Sequence, residues 1–429
     1  MKKVGFITLG CKVNIYESNA LKCELTDRGY IVGEADSDCD CFIINTCSVT
    51  NTADSKSRKM IHKCIKMNPS AIICVMGCYA QTNDEVKEID GIDILIGNGN
   101  KKSVVDTIDS MISGKRKEKR IDILNILETT EYEKLGVTSY DHTRAFVKIE
   151  DGCENYCTYC IIPFARGRVR CKPIDEVIEE LKRITNEGYL EVVLSGIHTG
   201  RYKDHDVNFS GLVKRILDEV PKLKRLRVSS IEMNEVDDEF IALMKGHKVI
   251  ANHLHLPLQS GSDVILSKME RKYDVGAYID KVKALRSARP DISITTDVIV
   301  GFPYEGDAEF METYNLCKDL GLSKLHVFPY SMRKGTKASL MPQIKDSEKK
   351  DRAKRLIELS NHLEEEYAKK FIGSILDIIP EQETLGGMMM GHTSNFLQVF
   401  MPKDLDKIGK LYNVKITKIE NGKIYGEIL

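Results

Sequence analysis

The sequence contains no tryptophan, and no apolar run approaches the roughly 18 residues of a membrane-spanning helix. It carries almost no net charge: 63 Lys and Arg stand against 64 Asp and Glu, leaving −1 at pH 7. Overall charge therefore announces no nucleic-acid partner, and any RNA contact has to come from a local basic stripe. No repeat of fixed period is visible, which excludes solenoids and propellers. Nor is there a disulfide framework, because such frameworks belong to small secreted domains and this chain has 13 Cys, an odd number, in 429 residues. Metal or catalytic use of some cysteines is the expectation. The start, Met1-Lys2-Lys3 and then Val4 to Cys11, is minimal for a signal peptide and runs directly into an amphipathic helix. The chain is read as cytoplasmic, with no membrane partner.

What is present is a long alternation of strand and helix patterns. Val4–Leu9, Cys41–Asn45, Ala71–Met76 and Ile92–Ile96 read as strands, with helices over Asn14–Arg28, Ala53–Met67, near Asn83–Ile89 and over Lys102–Ile112. Such alternation predicts a parallel sheet with crossover helices. The charged run Lys115–Arg120 and the next twenty-odd residues read as a linker, either a solvated connector or an RNA-backbone contact. A second series follows, with strands at 146–150, 191–194, 225–229, 253–258, 293–300 and 324–329, separated by helical patterns. Six βα units predict a partial barrel rather than a closed eight-stranded one. After a charged helix over Ser347–Lys370, four short strands (375–380, 396–401, 411–418, 423–428) predict a small β-barrel. The fold class is α/β: an N-terminal parallel α/β domain over 1–114, a partial barrel over 139–370 and a small C-terminal β-barrel over 371–429.

Cys153, Cys157 and Cys160 form Cys-x3-Cys-x2-Cys just after the first barrel strand, where the loops of an α/β barrel build active sites. Three close thiolates suit a [4Fe–4S] cluster with three irons fixed and the fourth open. Structural zinc is the competing reading. It wants a fourth ligand, and the next candidate, Cys171, lies eleven residues on, past Arg166–Arg170. Cys11, Cys47 and Cys78 have no short spacing, yet each lies just past a predicted strand, and in a parallel sheet those ends share the edge where ligands bind. Gly10 and Gly77 would let the backbone turn tightly there. Three unrelated buried cysteines is the alternative, and pattern alone leaves both standing. The other seven (Cys23, Cys39, Cys41, Cys64, Cys74, Cys171, Cys317) are taken as ordinary thiols.

The triad Cys153, Cys157 and Cys160, with the aromatic Tyr159 before the last Cys, resembles the radical S-adenosylmethionine (SAM) signature. The resemblance implies that the amino and carboxylate groups of SAM chelate the open iron, that reductive cleavage yields a 5′-deoxyadenosyl radical, and that Tyr159 lies near the adenine. Thr8-Leu9-Gly10-Cys11-Lys12-Val13-Asn14 through Glu17, Asn45-Thr46-Cys47-Ser48 and Gly77-Cys78-Tyr79-Ala80-Gln81 resemble the N-terminal domain of radical SAM methylthiotransferases. In that family the three Cys hold a second, auxiliary [4Fe–4S] cluster associated with the inserted sulfur. Asn14 and Glu17 then support the site or merely start the helix. Further stretches resemble the same family in order along the barrel. They make Ser195 and Gly196 partners of the SAM amino group, Ser230 and Glu232 ribose and SAM contacts, and Gln259, Arg271 and Asp297 further cofactor-binding residues. His255 by itself reads as a hydrogen-bonded structural residue. The C-terminal segment resembles the RNA-binding TRAM domain, although its six Lys against seven acidic residues lend that no support.

The resemblance covers the whole chain and implies a tRNA partner, a low-potential electron donor such as flavodoxin or ferredoxin, and a sulfur donor. Leu9-Gly10-Cys11-Lys12, Val49-Thr50-Asn51-Thr52-Ala53-Asp54 and Arg166-Gly167-Arg168-Val169-Arg170 look like the group acting on threonylcarbamoyl adenosine of tRNA. The other groups act on isopentenylated adenosine or on a ribosomal-protein aspartate. The threonylcarbamoyl group carries a carboxylate, so a cation is expected near the modified base: Arg166, Arg168 and Arg170 first, Lys12 second. The competing reading gives these arginines phosphates or local acids as partners. An iron–sulfur electron carrier with an RNA-binding tail would explain six cysteines but not the strand-end motifs. A radical SAM enzyme that uses its second cluster only for electron transfer is the remaining alternative.

Overall fold

The computed structural model describes residues 2–114, 118–140 and 142–429. Strands β1 (Lys3–Thr8), β2 (Ile31–Glu34), β3 (Cys41–Thr46), β4 (Ile72–Gly77), β5 (Ile94–Ile96) and β6 (Arg120–Asp122) form one sheet in the order 2-1-3-4-5-6, every pair parallel. All six residues of β3 are buried, as a central strand covered on both faces requires. The sequence pattern announces neither β2 nor β6. Both are edge strands, partly exposed and short, so neither carries an apolar run. The start of the charged run, residues 115–117, lies outside the described residues, but its end pairs in parallel with β5 instead of connecting loosely. Leu135, Val137 and Tyr140 further along are buried in the next core. The helix expected near residue 83 begins earlier, so that Cys78 is itself the first residue of the helix Cys78–Thr82, with a 3-10 turn over Asp84–Glu88 after it.

The barrel has six parallel strands in two sets. Arg144–Lys148, Glu191–Ser195 and Arg225–Val228 pair with one another, as do His253–His255, Ser293–Val300 and Lys324–Pro329. The Leu226–Ile250 bridge and the Ile231 amide bond to the His255 carbonyl (3.1 Å) join the sets into an open barrel. Helix α1 (Lys12–Asp27) belongs to both domains. Leu21 and Leu25 pack under the N-terminal sheet, while Tyr16, Ala20 and Cys23 enter the barrel core and Tyr16 Oη donates to the Leu135 carbonyl at 2.9 Å. A helix buried on two faces shows no clean amphipathic stripe, and its docking brings the loop of Cys11 to the barrel.

Five C-terminal strands close a barrel: Ile375–Glu383, Met388–Thr393, Gln398–Pro402, Tyr412–Glu420 and Lys423–Ile428. Met388–Thr393 escapes the sequence pattern because three methionines and a glycine hide any alternation. This barrel docks at the N-terminal ends of the larger barrel's strands. Buried Arg225 donates to Asp377 Oδ2 at 2.6 Å and to the His392 carbonyl at 3.1 Å, and Arg227 donates to the Thr393 and Ser394 carbonyls. Phe396 stacks on His253 at 4.6 Å with the Arg227 guanidinium over its ring. The opposite ends of the strands stay free for the cysteine loops.

Candidate active site: two cysteine triads at one barrel mouth

The loop of Cys153, Cys157 and Cys160 leaves the barrel at Gly152, whose φ of +105° a side chain would strain. It is pinned at both ends: Cys153 N–H donates to the Gly167 carbonyl (3.0 Å) and Thr158 N–H to the Met269 carbonyl (3.1 Å). Arg271 Nη1 donates to Cys157 Sγ at 3.2 Å, pairs with Glu232, and is braced by Tyr273. His198 Nδ1 lies 3.6 Å from Cys153 Sγ, and its Nε2 is 2.6 Å from Glu235. Burial alone would lower His198, but Cys153 and Glu235 outweigh it and hold its pKa at about 10. Glu232 and Arg271 line a cavity of about 140 Å³ with Cys157. Tyr159, Gln259 and Asp297 line another of about 200 Å³ with Cys160. Ser195 and Ser230 lie at neighbouring strand ends, and Gly196 is needed without a side chain, because a Cβ there would sit 2.7 Å from Glu150 Oε2.

Glu150 is a residue the sequence reading missed. It is fully buried beside the cysteine loop, accepts from His198 N–H at 2.7 Å, leaves its other oxygen unpaired, and is pushed by burial from 4.5 to about 8. A carboxyl at a strand end three residues before a cysteine motif was the available signal.

The dispersed cysteines do converge. Gly10 and Gly77 both take positive φ, and a Cβ on Gly10 would sit 2.9 Å from Cys47 Cβ. Burial raises Cys47 to about 11, with the Cys78 and Cys11 thiols pushing the same way. Cys11 is exposed, Cys47 half-buried and Cys78 buried. Thr50, three residues past Cys47, lines the cavity of Cys160, so the loops of both triads meet at one space.

Arg166 and Arg170 do not reach that space, which corrects the expectation of a substrate-facing arginine turn. Arg166 is fully buried. Its Nε donates to Cys78 Sγ (3.3 Å), Nη1 to Glu17 Oε1 (2.5 Å) and Nη2 to Asn14 Oδ1 (2.5 Å). Arg170 is buried against Asp151 at 3.6 Å, and Arg168 alone is exposed. Lys101 and Lys148 also pair with Glu17, and Lys148 with Asp151 at 2.7 Å. The physical reason is desolvation: a buried cation needs an anion in contact, and Glu17 and Asp151 are the carboxylates at hand. Asn14 and Glu17 thus brace the site, and the cations hold Glu17 down at about 2 despite its burial.

This network contains four cations and two carboxylates, an excess of two positive charges that suits it to anionic thiolates beside it. Among the described residues no three His, Cys, Asp or Glu close on a single metal ion. In a [4Fe–4S] cluster each thiolate binds its own iron, so both triads fit such a group by ligand type and number. Arg271 and Arg166 each supply a hydrogen bond to one sulfur of a triad.

Residues 147–317 match the Radical SAM superfamily, and residues 3–97 match the Uncharacterized protein family UPF0004. The threonylcarbamoyladenosine tRNA methylthiotransferase MtaB of Bacillus subtilis is 43% identical over 97% of this chain and 94% of its own. The MtaB of Thermotoga maritima is 36% identical over 99% and 96%. A tRNA-2-methylthio-N(6)-dimethylallyladenosine synthase of Thermodesulfovibrio yellowstonii is 33% identical over 98% and 97%. The radical SAM methyltransferase TsrM of Kitasatospora setae shares the fold at a TM-score of 0.57, with 14% identity over 77% of this chain and 75% of that one. With two cysteine triads at one barrel mouth and relatives of this identity along its whole length, the chain belongs to the radical SAM tRNA methylthiotransferases.

Proposed function

We propose that the chain converts the C2–H of N6-threonylcarbamoyladenosine at position 37 of tRNA, in its open or cyclic form, to C2–S–CH3. The observation that carries this reading is that one cavity is lined both by Cys160 and by the loop of Cys47. Residues 1–114 act as the methylthiotransferase domain with the auxiliary cluster, 139–370 as the radical SAM core and 371–429 as the TRAM RNA-binding domain. When bound, SAM and its [4Fe–4S] cluster supply hydrogen abstraction at C2 and the methyl group, and the auxiliary cluster is the place where the inserted sulfur is handled. A purine C–H is unreactive to bases at pH 7, which is why the protein's task is to hold, orient and exclude water.

In this reading Cys153, Cys157 and Cys160 hold the cluster that meets SAM, and Cys11, Cys47 and Cys78 hold the auxiliary one. Tyr159, Gln259 and Asp297 face the adenosyl side of SAM, while Ser195, Gly196, Ser230, Glu232 and Arg271 face its other groups. A low-potential donor such as flavodoxin or ferredoxin supplies electrons, a separate donor supplies sulfur, and the work is done in the cytoplasm.

Lys12 supports the threonylcarbamoyl subtype. It follows Cys11 at the start of α1 and pairs with no carboxylate among the described residues. Burial, then Arg144 and Arg227, lower it to about 8. Lys12 is half-buried, so leaving its charge unpaired still has a desolvation cost, which a substrate carboxylate offsets and an isopentenyl group does not. The test offers purified enzyme two tRNAs, one with threonylcarbamoyl adenosine and one with isopentenyl adenosine, and reads the nucleosides by mass spectrometry. Methylthiolation of the first is expected; methylthiolation of only the second overturns the subtype, and of neither overturns the chemistry.

A further inference from the structure

Arg166 belongs to both cysteine sites. It ends the short helix Ile162–Arg166, which begins two residues after Cys160, yet its guanidinium crosses to the N-terminal domain. There it donates to a thiol sulfur of the dispersed triad, to the side chain that follows Cys11 by three residues, and to Glu17. It is wholly buried, in a network whose cations outnumber its carboxylates.

We propose that Arg166 is a positioning residue that fixes Cys78 and supplies the positive charge that sets the reduction potential of the cluster held by Cys11, Cys47 and Cys78. The proposal rests on the auxiliary-cluster reading above. A cluster gains one negative charge on reduction, so a cation held next to a ligand sulfur in a dry interior favours the reduced form. A hydrogen bond to that sulfur acts in the same direction. Glu17 opposes it, since its carboxylate accepts from Arg166, Lys101 and Lys148 and cancels part of their field. The loop that carries Cys160 and the auxiliary site thereby form one electrostatic unit across the domain boundary.

The test uses the full chain carrying Cys157→Ala, reconstituted with iron and sulfide so that only the auxiliary cluster is present. Its midpoint is read by a mediated redox titration followed by electron paramagnetic resonance. Arg166→Gln is expected to lower the midpoint, so that the reduced fraction at fixed potential falls about tenfold or more, with about 59 mV per tenfold for one electron. Glu17→Gln is expected to raise it, and Arg166→Lys, which keeps the charge but loses the fork, to fall between wild type and Arg166→Gln. Lys101, Lys148 and Arg170 still balance Glu17 and Asp151 in Arg166→Gln, so the chain keeps its fold. If that variant binds no iron, Arg166→Lys and Glu17→Gln carry the comparison. Unchanged midpoints, or shifts of the same sign for Arg166→Gln and Glu17→Gln, overturn the role and leave Arg166 a structural brace. A Cys157→Ala chain that takes up no iron at all overturns the auxiliary-cluster reading itself, which is a separate failure.

Discussion

Replacing Arg333 by Met tests whether the loop of Cys47 is held by the barrel. Arg333 follows the last barrel strand and reaches into the N-terminal domain. Its Nη1 donates to Asn51 Oδ1 at 2.8 Å, and its Nη2 to Ser48 Oγ at 2.9 Å and to Asp54 Oδ2 at 2.7 Å. Both side chains of the ion pair are at most one-tenth exposed. Ser331 adds a hydroxyl that accepts from Asn51 N–H at 3.0 Å. Removing one partner of a buried pair costs about 3–5 kcal/mol, mainly by leaving the other charge uncompensated. Ser48 still donates to Asp54 at 2.8 Å, which places the loss at the lower end, about 3 kcal/mol. The cost falls on the start of α2 (Asn51–Met67) and the loop before it, so the assay is native-state hydrogen exchange of that segment. About 3 kcal/mol corresponds to exchange faster by a factor of about a hundred, with the C-terminal barrel unaffected. Asp54→Asn in the Arg333→Met background should cost far less than the two single changes summed. Methylthio product per SAM cleaved should drop in the single variant, because Thr50 shares the cavity of Cys160. Unchanged exchange, or strictly additive changes, would refute the latch.

Cys157→Ala should take anaerobically reconstituted protein from about eight irons to about four and abolish 5′-deoxyadenosine formation, whereas Cys47→Ala should keep some uncoupled SAM cleavage and lose all methylthio product. Normal deoxyadenosine from the first, or normal product from the second, would sink the corresponding assignment. Glu150 has a folded pKa raised from 4.5 to about 8, so the stability it contributes is full below pH 4.5 and is lost as the pH rises through 8. Glu150→Gln should therefore gain on the wild type by up to about 4 kcal/mol between pH 5 and pH 9, measured by urea unfolding; a gap independent of pH would mean Glu150 ionises normally. Lys12→Met should cut turnover on threonylcarbamoyl tRNA about tenfold or more while uncoupled SAM cleavage persists, the loss of one charge-assisted hydrogen bond; an equal fall in both would make Lys12 a prop for Cys11.

The cysteine pattern along the chain is enough to single out two candidate groups of thiols. Cys153, Cys157 and Cys160 declare themselves by spacing. For Cys11, Cys47 and Cys78 the strand ends left two readings open, and the structure shows the convergence, because parallel strands with crossover helices present their C-terminal ends at one edge. Gly10 and Gly77 were legible as tight turns for the same local reason, the φ that only glycine takes cheaply. The edge strands β2 and β6 and the strand Met388–Thr393 were not, because short or half-exposed strands carry no alternation to read. Only the tertiary structure decided which way the arginines point. Arg166 turns inward because Glu17, 149 residues away in sequence, and Asp151 converge on it, while Arg168 has no such partner among the described residues and stays exposed. It also decided that Arg225 and Arg227 hold the C-terminal barrel at the far end of the large one. A cation's partner is fixed by whichever carboxylate the fold leaves desolvated beside it, and that is a property of packing, which no local pattern along the chain records.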